Sequence, residues 1–141
     1  MKIKFTVPGE PKGKARPRFA RAGNFVRTYT PKETDSYEKS VRAEYLSRYG
    51  DVFFDKGEML DLRVFAYYSI PKNTSKKTRT LMLDGTIRPI KKPDMDNIIK
   101  IIADSLNKTA YHDDAQIVDS MARKFYSENP RVEIILQTAG G

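Results

Sequence analysis

The sequence predicts an α/β fold, a small mixed β-sheet of about four strands with two main flanking helices in the order β-α-β-α-β-β. Three observations predict it. Four segments alternate apolar and polar residues at the period of a strand. Two others repeat their apolar residues at helical spacing. Each helical segment lies between strands, where it can cover one sheet face. At 141 residues the chain is expected to form one domain, residues 1–141, large enough for a single core.

Lys2–Val7 reads as the first strand, with Ile3, Phe5 and Val7 on one face. A long loop is expected from residue 8 to about residue 29. Thr30-Pro31-Lys32-Glu33 starts a helix, with Thr as N-cap, Pro at the first helical position and Glu at the third. Tyr37, Val41, Tyr45 and Tyr49 then recur every fourth residue as a packing face, and Gly50 stands at the C-cap. Met59–Ile70 is the longest strand segment, with Leu60, Leu62, Val64, Ala66, Tyr68 and Ile70 sharing a face. A second basic loop follows. Asp96–Asn107 reads as a helix with Ile98, Ile99, Ile101, Ile102 and Leu106 apolar. Gln116–Ser127 and Arg131–Gln137 complete the sheet, joined by a turn at Glu128-Asn129-Pro130.

Composition excludes several classes. The 15 aromatics are too many for a solvated tail. No apolar run approaches the ~18 residues of a membrane span. Zero cysteines remove disulfides, thiol nucleophiles and Cys-zinc sites. The start, Met1-Lys2-Ile3-Lys4-Phe5-Thr6, has no signal-peptide apolar region, so a cytoplasmic location without membrane contact is expected.

The formal net charge is +8 and is unevenly placed. Residues 1–27 carry eight basic residues and one acid, and residues 72–92 carry seven basic residues and one acid. The rest of the chain has a net charge of −5. Two basic loops on an acidic body point to a polyanion partner. Pro and Gly interrupt both loops, which argues against a basic membrane-surface helix.

Lys91–Val118 holds five carboxylates, Asp94, Asp96, Asp104, Asp113 and Asp114. Asp96, Lys100 and Asp104 stand at i, i+4, i+8 and share a helix face. The plain alternative is that Asp96 caps the helix and Lys100 makes a surface pair. Asp94 and Asp96 flank one residue and can point the same way from an extended helix entry. A 12-residue helix rises ~18 Å, and six extended residues span ~20 Å. The loop 108–113 is therefore expected to return Asp114 toward the helix start, so that three or four carboxylates converge. Such a cluster needs a cation, and all-oxygen ligands select Mg²⁺, with Mn²⁺ as a substitute. An EF-hand beginning at Asp94 fails, because Ile99 and Ser105 occupy its Gly and Glu positions. His112 is the only histidine, which removes a His-based zinc site and argues against Ser-His-Asp catalysis.

Pro93-Asp94-x-Asp96-Asn97-x-x-Lys100, Asp104-x-Leu106-Asn107 and Tyr111-x-Asp113-Asp114-x-Gln116-Ile117-Val118 together resemble the signature of the RusA family of Holliday-junction resolvases. Gly13-Lys14-Ala15-Arg16-Pro17-Arg18 is similar to the basic N-terminal loop of some members. The resemblance implies a RusA-like domain and a Mg²⁺-dependent endonuclease that resolves four-way DNA junctions by paired nicks. It implies a homodimer, commonly of phage or prophage origin. It maps metal-binding carboxylates onto Asp94, Asp96 and Asp114, the active-site lysine onto Lys100, and a neighbouring acid onto Asp113. Lys12, Lys14, Arg16, Arg18, Lys76, Lys77, Arg79, Lys91 and Lys92 are then expected to meet DNA phosphates. A non-catalytic DNA-binding module with a structural cation, and a Mg²⁺ enzyme acting on nucleotides, are the competing readings.

Overall fold

A computed structural model describes the chain apart from Arg16, Pro17, Thr30 and Gly141 and the side chains of Arg18, Ala22 and Arg27. Its main sheet has four strands: β1 (Lys2–Pro8), β4 (Leu60–Ser69), β5 (Ile117–Ser127) and β6 (Arg131–Thr138). Their order is β1-β6-β4-β5. β6 runs antiparallel to both β1 and β4, while β4 and β5 are parallel. The sheet is therefore mixed, as the sequence predicts. β5 occupies one edge and β1 the other.

One face of this sheet makes the core. Ile3, Phe5 and Val7 of β1, Val132, Ile134 and Leu136 of β6, and Leu60, Leu62, Val64, Ala66 and Tyr68 of β4 are all buried. The strict alternation along these strands reflects one packed face and one wetter face. Two helices cover the packed face, α1 (Lys32–Tyr49) and α3 (Met95–Leu106). α1 contributes Tyr37, Val41 and Tyr45, and α3 contributes Ile98, Ile101, Ile102 and Leu106. The tyrosines of α1 are packing residues: Tyr45 meets Phe5 edge-on at 5.7 Å, and the Tyr49 hydroxyl donates to the Lys4 carbonyl.

The structure departs from the sequence expectations in three places. The first basic loop contains a hairpin, β2 (Arg18–Ala22) with β3 (Phe25–Tyr29). Its turn is Gly23-Asn24, and Gly23 has φ 63°. A two-residue connection with positive φ suits the strand twist. The second basic segment is not all loop: Lys76–Leu83 forms a helix, α2, because the Ser75 hydroxyl accepts a hydrogen bond from the Thr78 amide and caps its start. At α1 the N-cap is Pro31, one residue later than expected, and the proposed Thr30 cap lies outside the described residues. Gly50 is the C-cap, but in a right-handed conformation.

The polypeptide between β1 and the hairpin is laced to the start of α3. The Lys14 amide donates to the Asn97 carbonyl, and the Glu10 carboxylate accepts from the Ser69 amide. A Cβ on Gly13 would stand 2.8 Å from Pro93 Cβ and 3.1 Å from Asn97 Cβ. Only glycine lets this strap lie so close to the helix entry.

Candidate active site

α3 runs back across the sheet, so its two ends lie over opposite ends of β4. At its N-terminal end the Tyr68 hydroxyl donates to the Pro93 carbonyl at 2.8 Å. Asp94 is the N-cap residue, yet its side chain makes no capping hydrogen bond. Asp96 lies in the first turn, and both carboxylates are exposed. The capping alternative for Asp96 therefore does not describe this helix start. An open cleft of about 540 Å³ lies beside Asp94, walled by Lys12, Gly13, Lys14, Lys92, Pro93 and Asn97.

This end is more basic than the loops alone indicate. Lys124 of β5 projects onto the core side, and its ammonium lies 5.2 Å from the Tyr68 ring centre. It donates to the Lys91 carbonyl at 2.6 Å. Burial lowers its pKa from the ordinary lysine value, partly offset by the Asp94 charge. Lys91 approaches the rings of Tyr68 and Tyr126 at 6.0 and 5.9 Å. Arg88 lies over Phe125 at 4.5 Å and donates to the Lys124 carbonyl. Lys124 and Arg88 were not singled out by sequence. The usable signal for Lys124 is its register opposite Ala66, on the side of β4 that faces the core.

The other end of α3 is acidic. The Asp114 amide donates to Asn107 Oδ1 at 2.8 Å, beside the helix C-terminus. Asp113 caps a short 3₁₀ turn (Asp114–Gln116) in a reciprocal capping box with Gln116. The Gln116 side chain donates to the carbonyls of Asp55 and Glu58. Burial raises the Asp114 pKa, and Asp113 and Asp104 push it the same way, against the Asn107 bond. Asp113 is held below the usual carboxylate range, first by its bond from the Ala115 amide. His112 is exposed, and its backbone amide donates to the Gln116 side chain.

Convergence of Asp94, Asp96 and Asp114 within one chain is corrected by this placement. The loop after α3 does not return along the helix. It closes at once through the Asn107–Asp114 bond and feeds into β5 at Leu60↔Ile117. Asp94 stands by Tyr68, and the path from Leu60 to Tyr68 is about 26 Å at 3.3 Å per residue. Among the described residues no group of three or more Asp, Glu or His side chains could hold a metal ion together.

Lys100 is exposed on the middle of α3, 3.7 Å from Asp104. Asp104 also pairs with Lys14 at 3.2 Å, and Lys14 reaches Glu38 at 2.9 Å. Lys14 is thus engaged inside the protein. Arg79 is paired with Glu128 at 2.6 Å. Lys12, Lys76, Lys77, Lys91 and Lys92 are exposed. Arg16 and the side chain of Arg18 lie outside the described residues.

The family model described as "Endodeoxyribonuclease RusA" matches residues 8–137, nearly the whole fold. The chain belongs to the RusA endodeoxyribonuclease family. Among relatives of this RusA-family chain, the "Uncharacterized protein YqaN" of Bacillus subtilis (strain 168) is 36% identical over 137 residues, covering 96% of this chain and 95% of that protein. The "Crossover junction endodeoxyribonuclease rusA" of Lactococcus phage r1t is 32% identical over 107 residues, 75% of this chain and 73% of its own length. Among the described residues of this RusA-family chain, no helix is long and apolar enough to cross a membrane.

Proposed function

We propose that this protein is a divalent-metal-dependent endodeoxyribonuclease that resolves four-way DNA junctions by paired nicks. The observation that carries the reading is Asp94, free of any capping bond, in the wall of a lysine-lined cleft at the start of α3, with the exposed Asp96 in the helix's first turn, in a chain of the RusA family. Its phage relative bears the name of a crossover junction endodeoxyribonuclease, which supports the branched substrate.

The carboxylates supply hard oxygen donors, which suit Mg²⁺ or Mn²⁺. The chemistry that a divalent ion held there would supply is polarisation of a phosphoryl oxygen and a more acidic water. Asp94 and Asp96 are two such ligands; Asp114 is the third of the proposed set, and Asp113 is a neighbour already engaged in a cap. One chain alone does not bring the full set together. The remaining steps fall to exposed bases. Lys12 and Lys92 flank Asp94 and receive phosphates on either side of the scissile bond. Lys100 stabilises negative charge that builds up on the reacting phosphate. Lys91, Lys76 and Lys77 extend the contact along the backbone, and Arg16 and Arg18 of the N-terminal segment add to it. Contacts of this kind read shape and charge rather than base sequence.

The deciding experiment uses a labelled synthetic four-way junction with and without Mg²⁺, beside Asp96→Asn. Symmetric nicks that need the metal and fall at least 100-fold in the variant are expected. Equal cutting of unbranched duplex removes the junction specificity. The distance of Asp114 from Asp94 favours one competing reading, a non-catalytic DNA-binding module. Tight junction binding by wild type without cutting under Mg²⁺ or Mn²⁺ establishes that reading instead.

A further inference from the structure

We propose that the β2–β3 hairpin is a wedge that enters the branch point of a DNA junction, where Phe25 on one face of the ribbon and Phe19 on the other stack on bases that have lost a neighbour. The inference rests on the branched-DNA reading above and names the part of the chain that recognises the branch.

The hairpin stands apart from the rest of the fold. Its strands pack on each other, and among the described residues they make no comparable packing on the sheet or the helices. None of its described residues joins the buried core. An isolated two-stranded ribbon is marginal in water and has no core of its own. Yet Phe19 is 72% exposed, Phe25 75% and Val26 64%.

The register divides these side chains between two faces. Directly paired residues share a face, so Phe19 and Thr28 lie with Arg21 and Val26. Phe25 lies on the opposite face, paired with Ala22 beside the Gly23-Asn24 turn. The tip is therefore apolar on both sides, with Phe25 on one and Val26 on the other. That is the shape of a blade rather than of a one-sided docking face.

Charge selects the occupant. Residues 18–29 hold three arginines and no acid. The same hairpin of a second copy sets cation against cation. DNA answers both features, since its phosphates meet the charge and its bases offer flat faces for aromatic rings.

The foot of the hairpin adjoins the Asp94 cleft. Lys12 walls that cleft and also a second one of about 440 Å³, which it shares with Lys32, Ser36 and Tyr37 at the start of α1. Tyr29, the last residue of β3, lines a recess with Lys32 and Glu33. Exposed lysines thus lead from Asp94 to the hairpin. Five residues per strand then carry the tip roughly 15 Å from its foot. Apolar side chains driven between base steps unstack them, and the cost is least where a base already lacks a partner. A branch point is such a place and a continuous duplex is not. The wedge therefore favours branched DNA without reading its sequence.

A four-way junction with 2-aminopurine at the branch point tests this, without divalent metal so that the DNA stays intact. Wild type is expected to raise the probe's fluorescence about 3-fold as the base leaves its stack. A probe deep in one arm is expected to stay unchanged. Phe19→Ala and Phe25→Ala are each expected to weaken junction binding about 10-fold and to suppress the rise, while unbranched duplex binding changes less than about 2-fold. Phe25→Trp is expected to keep both readouts and Phe25→Leu to lose them. Leucine that serves as well as tryptophan, or an equal loss on duplex, overturns the wedge. Alanine variants that differ from wild type in oligomeric state make the hairpin a contact between copies and also overturn it. A wild type that cuts junctions with metal but leaves the branch probe unchanged overturns the wedge and keeps the nuclease reading. A wild type that never cuts, yet raises the signal in a Phe25-dependent way, removes the nuclease reading and leaves the wedge standing.

Discussion

At the residue scale, Lys14 shows how a basic motif divides its labour. Its sequence neighbourhood reads as a phosphate-binding loop, yet its ammonium bridges Glu38 and Asp104, joining the strap to α1 and α3. Burial acts to lower its pKa, but the bonds to Glu38 and Asp104 outweigh it and leave the value above the ordinary 10.5. A raised lysine pKa adds stability that is complete below 10.5 and disappears as pH rises through the folded value. Lys14→Met is expected to cost about 2 kcal/mol at pH 7, and the difference from wild type is expected to shrink above pH 10.5. Urea unfolding across that range checks it. Both proteins lose further stability above pH 10, because burial keeps the Tyr45 hydroxyl protonated up to about 12 and raises Tyr37, Tyr68 and Tyr111 as well. The shared tyrosine loss cancels in the comparison. Gly13→Ala is expected to push the strap off Pro93 and weaken junction binding about 10-fold, measured by titration against labelled DNA.

At the element scale, α3 carries both core residues and the proposed ligands Asp94 and Asp96 at its start. Ile98, Ile101, Ile102 and Leu106 are fully buried, and Ile102→Ala is expected to cost 2–5 kcal/mol, roughly, in denaturant unfolding. Ser75→Ala is expected to remove about 1 kcal/mol by uncapping α2, read from the same measurement. The helical period of α3 was plain in the sequence because one face is apolar and the other charged. α2 was hidden, because its residues Lys76-Lys77-Thr78-Arg79-Thr80 carry no apolar stripe and only Met82 is buried. The β2–β3 hairpin was hidden for a related reason. Phe19, Phe25 and Val26 are exposed, so its strands lack the one-sided burial that makes alternation visible. The Gly23-Asn24 pair was the available signal.

At the scale of the whole molecule, charge separation dominates. Lys12, Lys91, Lys92, Lys124 and Arg88 gather near the start of α3, while Asp104, Asp113 and Asp114 lie at its end with Lys108 beside Asp113. Junction binding is expected to weaken steeply with salt, by about 0.9 log unit per log unit of salt for each phosphate neutralised. Lys12→Ala with Lys92→Ala is expected to lower the slope of log affinity against log salt by about 2, whatever the sequence of the arms. Fluorescence titrations between low and physiological salt measure that slope, and an unchanged slope removes these lysines from the interface.

Local chemistry was legible in the sequence itself. Period-two and helical patterns identified the four sheet strands and the two packed helices, since each depends only on which residues must leave water. The spaced acids of residues 94–114 likewise marked the family. Tertiary structure alone decided where those acids stand. Sequence spacing bounds how far the loop after α3 can reach, but not where it goes. The Asn107–Asp114 bond and the parallel pairing of β5 with β4 direct it away from Asp94. A parallel neighbour must start at the same end of the sheet as its partner, so the chain delivers Asp114 to one end and Asp94 to the other.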